Sequence, residues 1–452
     1  MDQPNTNFKT LVARQRALFR EGTTLPIAFR KAALKKLLVA IEEGEETILG
    51  ALKADLNKHP TEAYISEVAL VKGEIKHALK HLKRWTKPKR VKTPLIHWPS
   101  RSYLYSDPYG VTLIMAPWNY PFQLSLTPLV GAIAAGNTAI IKPSAYAKAT
   151  SAVINELIRK TFDPDYIAVV EGDRAATATL LSERFDYIFF TGSTHVGKIV
   201  LEAAAKHITP VTLELGGKSP AIVTASANIR LAAKRILFSK LLNAGQTCIA
   251  TDYVLVAKSV EQALLKALQA EQKKAFPGGD YSDYPKIINE KHTKRLEALG
   301  GPLERGITLL RGATFDDKIM EEEIFGPLLP IIVYEEMEEL IKTLLTKEKP
   351  LALYLFSRDK REINMVLQRL FFGGGCVNDA LIHMVNAHLP FGGVGNSGMG
   401  AYHGKYSFET FSHRKAITKS STRVDLPFRY RPYSALVKRL ANLYIHQPNW
   451  WL

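Results

Sequence analysis

Apolar residues recur at helical spacing across positions 25–56, with Lys, Arg and Glu filling the positions between them, which predicts long amphipathic helices. Farther along, the texture changes to short apolar runs. Runs at 111–115, 139–142, 167–170 and 187–191 alternate with helical patterns such as 150–161 and 196–205. Strand, helix, strand in that order implies parallel pairing, because the chain needs a crossover helix to return. A second alternating series follows, with runs at 221–224, 253–257, 328–334 and 352–357. The fold class expected is therefore α/β, with two parallel-sheet domains, the first binding a nucleotide.

No charged residue occurs from Val111 to Ile141, which raises the question of a membrane span. Pro117, Pro121, Pro128, Gly131 and Gly136, with Asn119 and Asn137, argue instead for two buried strands joined by a helix. The tract 391–400 is too glycine-dense for regular structure and predicts a turn-rich loop where backbone approaches backbone or ligand. Near the C-terminus, Leu436, Val437, Leu440, Leu443 and Tyr444 form one apolar stripe beside Lys438 and Arg439, ahead of Trp450 and Trp451. Packing onto the protein or a partner subunit is the first reading of that stripe, and contact with a membrane surface the second.

At 452 residues the chain exceeds one compact core. With only Cys248 and Cys376, the chain argues against a disulfide scaffold and fits a reducing compartment; Cys376 reads as a small buried hydrophobe. The N-terminus shows no apolar core followed by a cleavage site, which adds to the expectation of a cytoplasmic protein. A formal charge of +17 invites a nucleic-acid partner, but the basic residues are spread among acids. The densest stretch, Lys83, Arg84, Lys87, Lys89, Arg90 and Lys92, reads as a solvated connector. No nucleic-acid site is expected.

Two distant segments carry candidate chemistry. Cys248 follows Gly245-Gln246-Thr247, a small and polar approach that leaves a thiol accessible, and a reactive thiol needs both access and an electropositive setting. Glu214 ends an apolar strand just before Gly216-Gly217, where a sharp turn directs its carboxylate into a cavity as a general base. The bland alternative for Glu214 is a cap or an ion pair with Lys218. Asn119 lies between two prolines, and its amide can donate to a developing oxyanion. Thr191-Gly192-Ser193 follows a strand and opens a helix, the setting for phosphate binding at a helix N-terminus. His195, His383 and His388 lack metal-ligand spacing, and no metal is expected.

Taken in order along nearly the whole chain, segments 116–126, 141–144, 190–197, 213–220, 243–249, 322–327 and 390–413 resemble those of class 3 aldehyde dehydrogenases, which oxidise fatty and aromatic aldehydes. The resemblance implies Cys248 as nucleophile, Glu214 as the base for the deacylating water, and an oxyanion hole of Asn119 with the Cys248 backbone N–H. It implies NAD or NADP as cofactor, with Glu323 holding the nicotinamide ribose, Phe325 packing beside the nicotinamide, Trp118, Gly192 and Ser193 lining the pyrophosphate, and Lys142 reaching the adenosine ribose. It also implies a Rossmann-like cofactor domain at 1–82 and 105–210, a catalytic domain at 211–407, and a bridging segment at 83–104 and 408–452 that forms a homodimer. Two departures stand out. Ala145 replaces the Glu that favours NAD in the family, and the stretch 299–310 is short, read as a trimmed surface hairpin. Without a nicotinamide cofactor, the same thiol would serve a cysteine hydrolase or acyltransferase; without catalysis, the fold would serve as a scaffold.

Overall fold

The computed structural model describes residues 8–94, 97–303, 305–425 and 429–446. Among these, three sheets organise the chain. The first contains, in spatial order, Gly398–Met399, Val211–Glu214, Tyr187–Thr191, Val111–Met115, Thr138–Lys142 and Ile167–Val169. All neighbours pair in parallel except the two-residue edge strand, which runs antiparallel to Val211–Glu214. From Val111–Met115 the chain builds first toward Ile167–Val169 and then, with Tyr187–Thr191, on the other side. A crevice opens at such a reversal, outside the carboxyl ends of the two central strands.

The charge-free stretch resolves as expected. Strands Val111–Met115 and Thr138–Lys142 flank helix Pro121–Ala135, every residue of which is buried. Its apolar surface is covered on the outside by helices Ile27–Glu43 and Ala69–Trp85 and by Lys405–Thr410. The amphipathic pattern over 25–56 becomes two helices, Ile27–Glu43 and Glu45–Leu56, separated at Gly44.

The second sheet is parallel throughout, in the order Thr308–Arg311, Leu328–Tyr334, Tyr253–Ala257, Pro220–Val223, Ala352–Phe356 and Gly374–Val377. Its four central strands are almost fully buried, which is why they read as unbroken apolar runs. The stretch 299–310 is not a hairpin. It is the end of helix Glu290–Gly300, a short return, and the edge strand Thr308–Arg311, which is parallel to its neighbour and therefore reached by a crossover.

The third sheet is antiparallel, with Lys89–Val91 and Ser412–Lys419 on either side of Arg101–Pro108. The basic stretch thus ends as an edge strand. The tract 391–400 also departs from pure loop, since Gly398–Met399 pairs with Leu213 and Glu214. Only glycine permits this: Gly398 has φ +146°, and a Cβ there would collide with the Leu213 carbonyl oxygen. Helix Ala435–His446 carries Leu436 at 64% exposure, so that end of the stripe is not packed on this chain. The side chains of Leu440, Leu443 and Tyr444, and all of Trp450 and Trp451, lie outside the described residues. No described helix is long and apolar enough to cross a membrane.

Candidate active site

A cleft of about 870 Å³ runs from the carboxyl ends of the first sheet to the start of the second. Its walls include Trp118, Asn119, Gly192, Ser193, Cys248, Glu323 and Phe325, seven of the nine residues singled out in the sequence. The strand reversal supplies one end: Pro117–Asn119 follow Met115, and Gly192–Ser193 follow Thr191. Ser193 caps helix Thr194–Ala205 by accepting from the Val196 N–H at 3.4 Å, and Thr194 and His195 of its first turn line the cleft.

Cys248 sits at the other end, after helix Ile229–Leu241 and a tight turn in which Asn243 and Ala244 both adopt left-handed backbone angles. Two non-glycine residues in that region store strain, which persists only where surrounding bonds fix it. Here the bonds are explicit. The Asn243 N–H donates to Glu62 Oε1 at 2.8 Å, and Asn243 Nδ2 donates to the Asn119 carbonyl at 2.8 Å. Gln246 Nε2 donates to the carbonyls of Asn243 and Lys286, each at 3.0 Å.

The thiol is half-buried rather than open, and its surroundings correct the expected electropositive setting. Burial, then Glu323 and Glu214, push the Cys248 thiol well above its ordinary range, opposed by backbone N–H groups of Cys248 and Ile249 directed at the sulfur. Asn119 is buried, its Nδ2 donates to the Gln246 carbonyl at 3.0 Å, and its Oδ1 has no partner. One amide N–H is thereby engaged, and the second remains available.

Glu323 sits in the turn before Phe325, and that turn is pinned from three directions. Lys218 Nζ donates to the Glu322 carbonyl at 2.9 Å and pairs with Asp252 at 2.6 Å. Asp252 in turn accepts from the Ile324 N–H at 2.9 Å, and Arg295 donates to the carbonyls of Glu323 and Ile324. The ion pair of Lys218 with Asp252 removes the bland alternative of a Lys218 partner for Glu214. Burial, with Asp252 nearby, raises the Glu323 carboxyl to about 8, and the Gly217 N–H partly offsets this. Phe325 stands edge-on to Trp118 at 5.3 Å between ring centroids.

Two expected residues are not on the cleft wall. Glu214 is buried with neither carboxylate oxygen partnered, and burial raises its pKa well above the ordinary value. It remains within electrostatic reach of Cys248 and Tyr402. Lys142 is buried too, and its ammonium donates to the carbonyls of Pro143 at 3.0 Å and Gly172 at 2.8 Å. A buried ammonium must satisfy its donors locally, which draws it to these carbonyls. Cys376 is half-buried, with its sulfur 3.6 Å from His383 Nδ1, so it is not the simple buried hydrophobe expected. No metal-binding group of His, Cys, Asp or Glu occurs among the described residues.

Sequence reasoning missed several residues. His292 packs 5.0 Å from Trp118 and 6.1 Å from Tyr146, extending the aromatic wall, and burial lowers its pKa. It lies on helix Glu290–Gly300 with no local signal to mark it. His195, read as uninvolved, lines the cleft as an exposed residue.

The chain is similar to proteins of one family over most of its length. The aldehyde dehydrogenase family profile matches residues 2–417. The 4,4'-diaponeurosporen-aldehyde dehydrogenase of Staphylococcus aureus is 49% identical, covering 94% of this chain and 96% of that protein. Aldehyde dehydrogenase family 3 member B1 of Homo sapiens is 43% identical, covering 93% and 94%. Among solved structures, a substrate-bound state of Staphylococcus aureus AldH superposes with a TM-score of 0.94 at 47% identity, covering 98% of this chain and all of that one. A cleft lined by the Cys248 thiol and the Glu323 carboxyl therefore coincides with membership that sequence and fold both establish: the chain belongs to the aldehyde dehydrogenase family and is an oxidoreductase that converts aldehydes to carboxylic acids.

Proposed function

We propose that this enzyme oxidises medium- to long-chain aliphatic or aromatic aldehydes with NAD or NADP, using Cys248 as nucleophile, Asn119 as oxyanion donor and Glu214 as hydrolytic base. The observation that carries this reading is the shared cleft: Cys248, Asn119, Glu323, Gly192 and Ser193 all line it, and Asn119 is hydrogen-bonded to the loop that carries Cys248. The residues fit a dinucleotide. A capped helix N-terminus suits a pyrophosphate, and Glu323 with its raised pKa suits ribose hydroxyls. Trp118 and Phe325 offer apolar wall between them.

Cys248, on releasing its proton to solvent water, bonds through sulfur to the aldehyde carbon as the carbonyl π electrons move to oxygen, and gives an ionised hemithioacetal. Its oxyanion is held by the free N–H of Asn119 and the Cys248 backbone N–H. An oxidised nicotinamide dinucleotide held by Glu323, Trp118, Phe325, Gly192 and Ser193 would supply the hydride acceptor that this oxidation to a Cys248 thioester requires. Glu214 then takes a proton from water, whose oxygen attacks the thioester carbon; the C–S bond breaks, and the carboxylic acid leaves with the thiol restored.

Ala145 and Lys148 are both exposed at the start of helix Lys148–Thr161. Without a carboxylate at position 145 there is no repulsion of a 2′-phosphate, and we infer that NADP is accepted at least as well as NAD. Lys142, tethered as it is, would act on the adenosine ribose only after leaving one carbonyl. Residues 1–82 and 105–210 would serve the cofactor, 211–407 the substrate, and the three-stranded sheet with the tail a homodimer. The exposed Leu436 leaves a membrane surface as the alternative contact for the tail.

A panel of aldehydes of increasing chain length, with NAD and NADP in turn, tests the reading. Aldehyde-dependent formation of reduced cofactor that vanishes in Cys248→Ser is the expected result. Ester hydrolysis without any cofactor-dependent oxidation would replace it with the hydrolase reading.

A further inference from the structure

Beneath the cleft lies a charged pair that the reaction does not use. Lys58 Nζ and Glu67 Oε1 are 2.5 Å apart, and both side chains are completely buried. Taking two charges out of water costs about as much as their attraction returns, and an apolar pair of similar size is commonly as stable or more so. The pair therefore calls for an explanation other than stability.

Its remaining hydrogen bonds all point one way. Lys58 Nζ donates to the Asn119 carbonyl at 3.0 Å and lies 4.0 Å from the centre of the Tyr120 ring. Glu67 Oε2 accepts from the N–H groups of Phe122 at 2.9 Å and Gln123 at 3.2 Å, the first turn of helix Pro121–Ala135. Glu67 belongs to the π-helical turn Tyr64–Val68, a widened geometry frequent at functional sites. Every hydrogen-bond partner of the two side chains outside the pair thus falls between Asn119 and Gln123, while Glu62, also near both charges, accepts from the Asn243 N–H. The Asn119 carbonyl is gripped from its other side by Asn243 Nδ2 at 2.8 Å, which also donates to Gln246 at 3.1 Å. Tyr120 completes the tie through its hydroxyl, 2.6 Å from Thr247 Oγ1, next to Cys248.

We propose that Lys58 and Glu67 form a positioning unit, a buried ion pair that fixes the Asn119 amide relative to the nucleophile loop 243–248. The proposal rests on the reading of Asn119 as oxyanion donor. Neither residue touches substrate; both act through Asn119. An oxyanion donor works by being in place before charge develops, so small displacements of its backbone weaken hydride transfer more than substrate binding.

The test is a mutant cycle read by single-turnover formation of reduced cofactor with saturating aldehyde. Lys58→Met combined with Glu67→Gln removes both charges together, leaving neither buried alone. Lys58→Arg is the second variant; it keeps the ion pair, and with it the fold, but replaces the compact ammonium that reaches the Asn119 carbonyl by a forked group. The transfer rate should fall about 10- to 100-fold in the double variant and less in Lys58→Arg, with KM for the aldehyde and Kd for the cofactor within about 2-fold of wild type. Asn119→Ala alone should lose about 100-fold or more, and adding either Lys58 variant to it should cost nothing further. Additive losses on top of Asn119→Ala overturn the positioning role while leaving the oxyanion reading intact. A wild-type rate in Asn119→Ala overturns the oxyanion reading and this proposal together. A wild-type rate in the folded Lys58 variants overturns this proposal alone.

Discussion

Gly216 and Glu323 are packed so closely that a methyl group on Gly216 would lie 2.6 Å from Glu323 Cδ and closer still to one carboxylate oxygen. No such contact is tolerated, so the carboxylate can occupy its place on the cleft wall only because residue 216 has no side chain. The two segments that meet here are 107 positions apart, and the first of them follows Glu214 by two residues.

Gly216→Ala should therefore act as a cofactor-binding variant without touching the cofactor itself. The methyl group displaces the Glu323 side chain, and the expected result is a Kd for NAD or NADP raised about 10-fold or more, equivalent to about 1.4 kcal/mol. Isothermal titration on the folded variant measures it. An unchanged Kd would show that Glu323 does not grip the dinucleotide.

Glu323 also makes a prediction about stability. Its folded pKa, about 8, lies above its ordinary value of 4.5 because of burial. Between those two values the folded state binds the extra proton and the unfolded state does not, so stability falls as pH rises through that window. Glu323→Gln removes the titration. It should melt at a higher temperature than wild type at pH 8 to 9, by about 2 °C or more, with the gap narrowing toward pH 5, while binding cofactor more weakly. Scanning calorimetry across pH 5 to 9 provides the check, and parallel melting curves for the two proteins would count against it.

What was legible in the chain follows from the range of each interaction. The strands Val111–Met115, Tyr187–Thr191 and Tyr253–Ala257 are buried on both faces, so their apolar runs announce them without ambiguity. Cys248, Asn119 and Glu323 were found because long motifs surround them. Lys58, Glu67 and His292 were not, because each matters through a partner 40 or more positions away and sits in an ordinary helical or turn pattern. The acidic setting of Cys248 was hidden for the same reason: Glu214 and Glu323 reach it only through the fold. Lys142 looked free in the sequence because nothing there shows the Gly172 carbonyl that holds it.

On the reading proposed for position 145, cofactor choice turns on one absent carboxylate. Ala145→Glu should lower kcat/KM with NADP about 10-fold or more through repulsion of the 2′-phosphate, and raise it with NAD by offering an acceptor to the ribose hydroxyls. Steady-state assays with a single aldehyde compare the two. If wild type strongly prefers NAD and the substitution leaves the ratio unchanged, position 145 does not face the ribose.

As the proposed hydrolytic base, the buried Glu214 would separate the two halves of the reaction. Its carboxyl has no hydrogen-bond partner, and burial raises its pKa well above 4.5. It accepts a proton only when ionised, so hydrolysis of the thioester should accelerate as pH rises toward that pKa, whereas formation of the thioester should not depend on Glu214. Glu214→Gln keeps the shape and removes the base. A stoichiometric burst of reduced cofactor should then be followed by turnover slowed about 10²- to 10⁴-fold, with the rise toward alkaline pH gone from the slow phase. Rapid-quench kinetics, with the trapped thioester on Cys248 identified by mass spectrometry, distinguish this from a general loss of activity. Loss of the burst itself would mean that Glu214 acts at or before hydride transfer, on the thiol proton rather than on water.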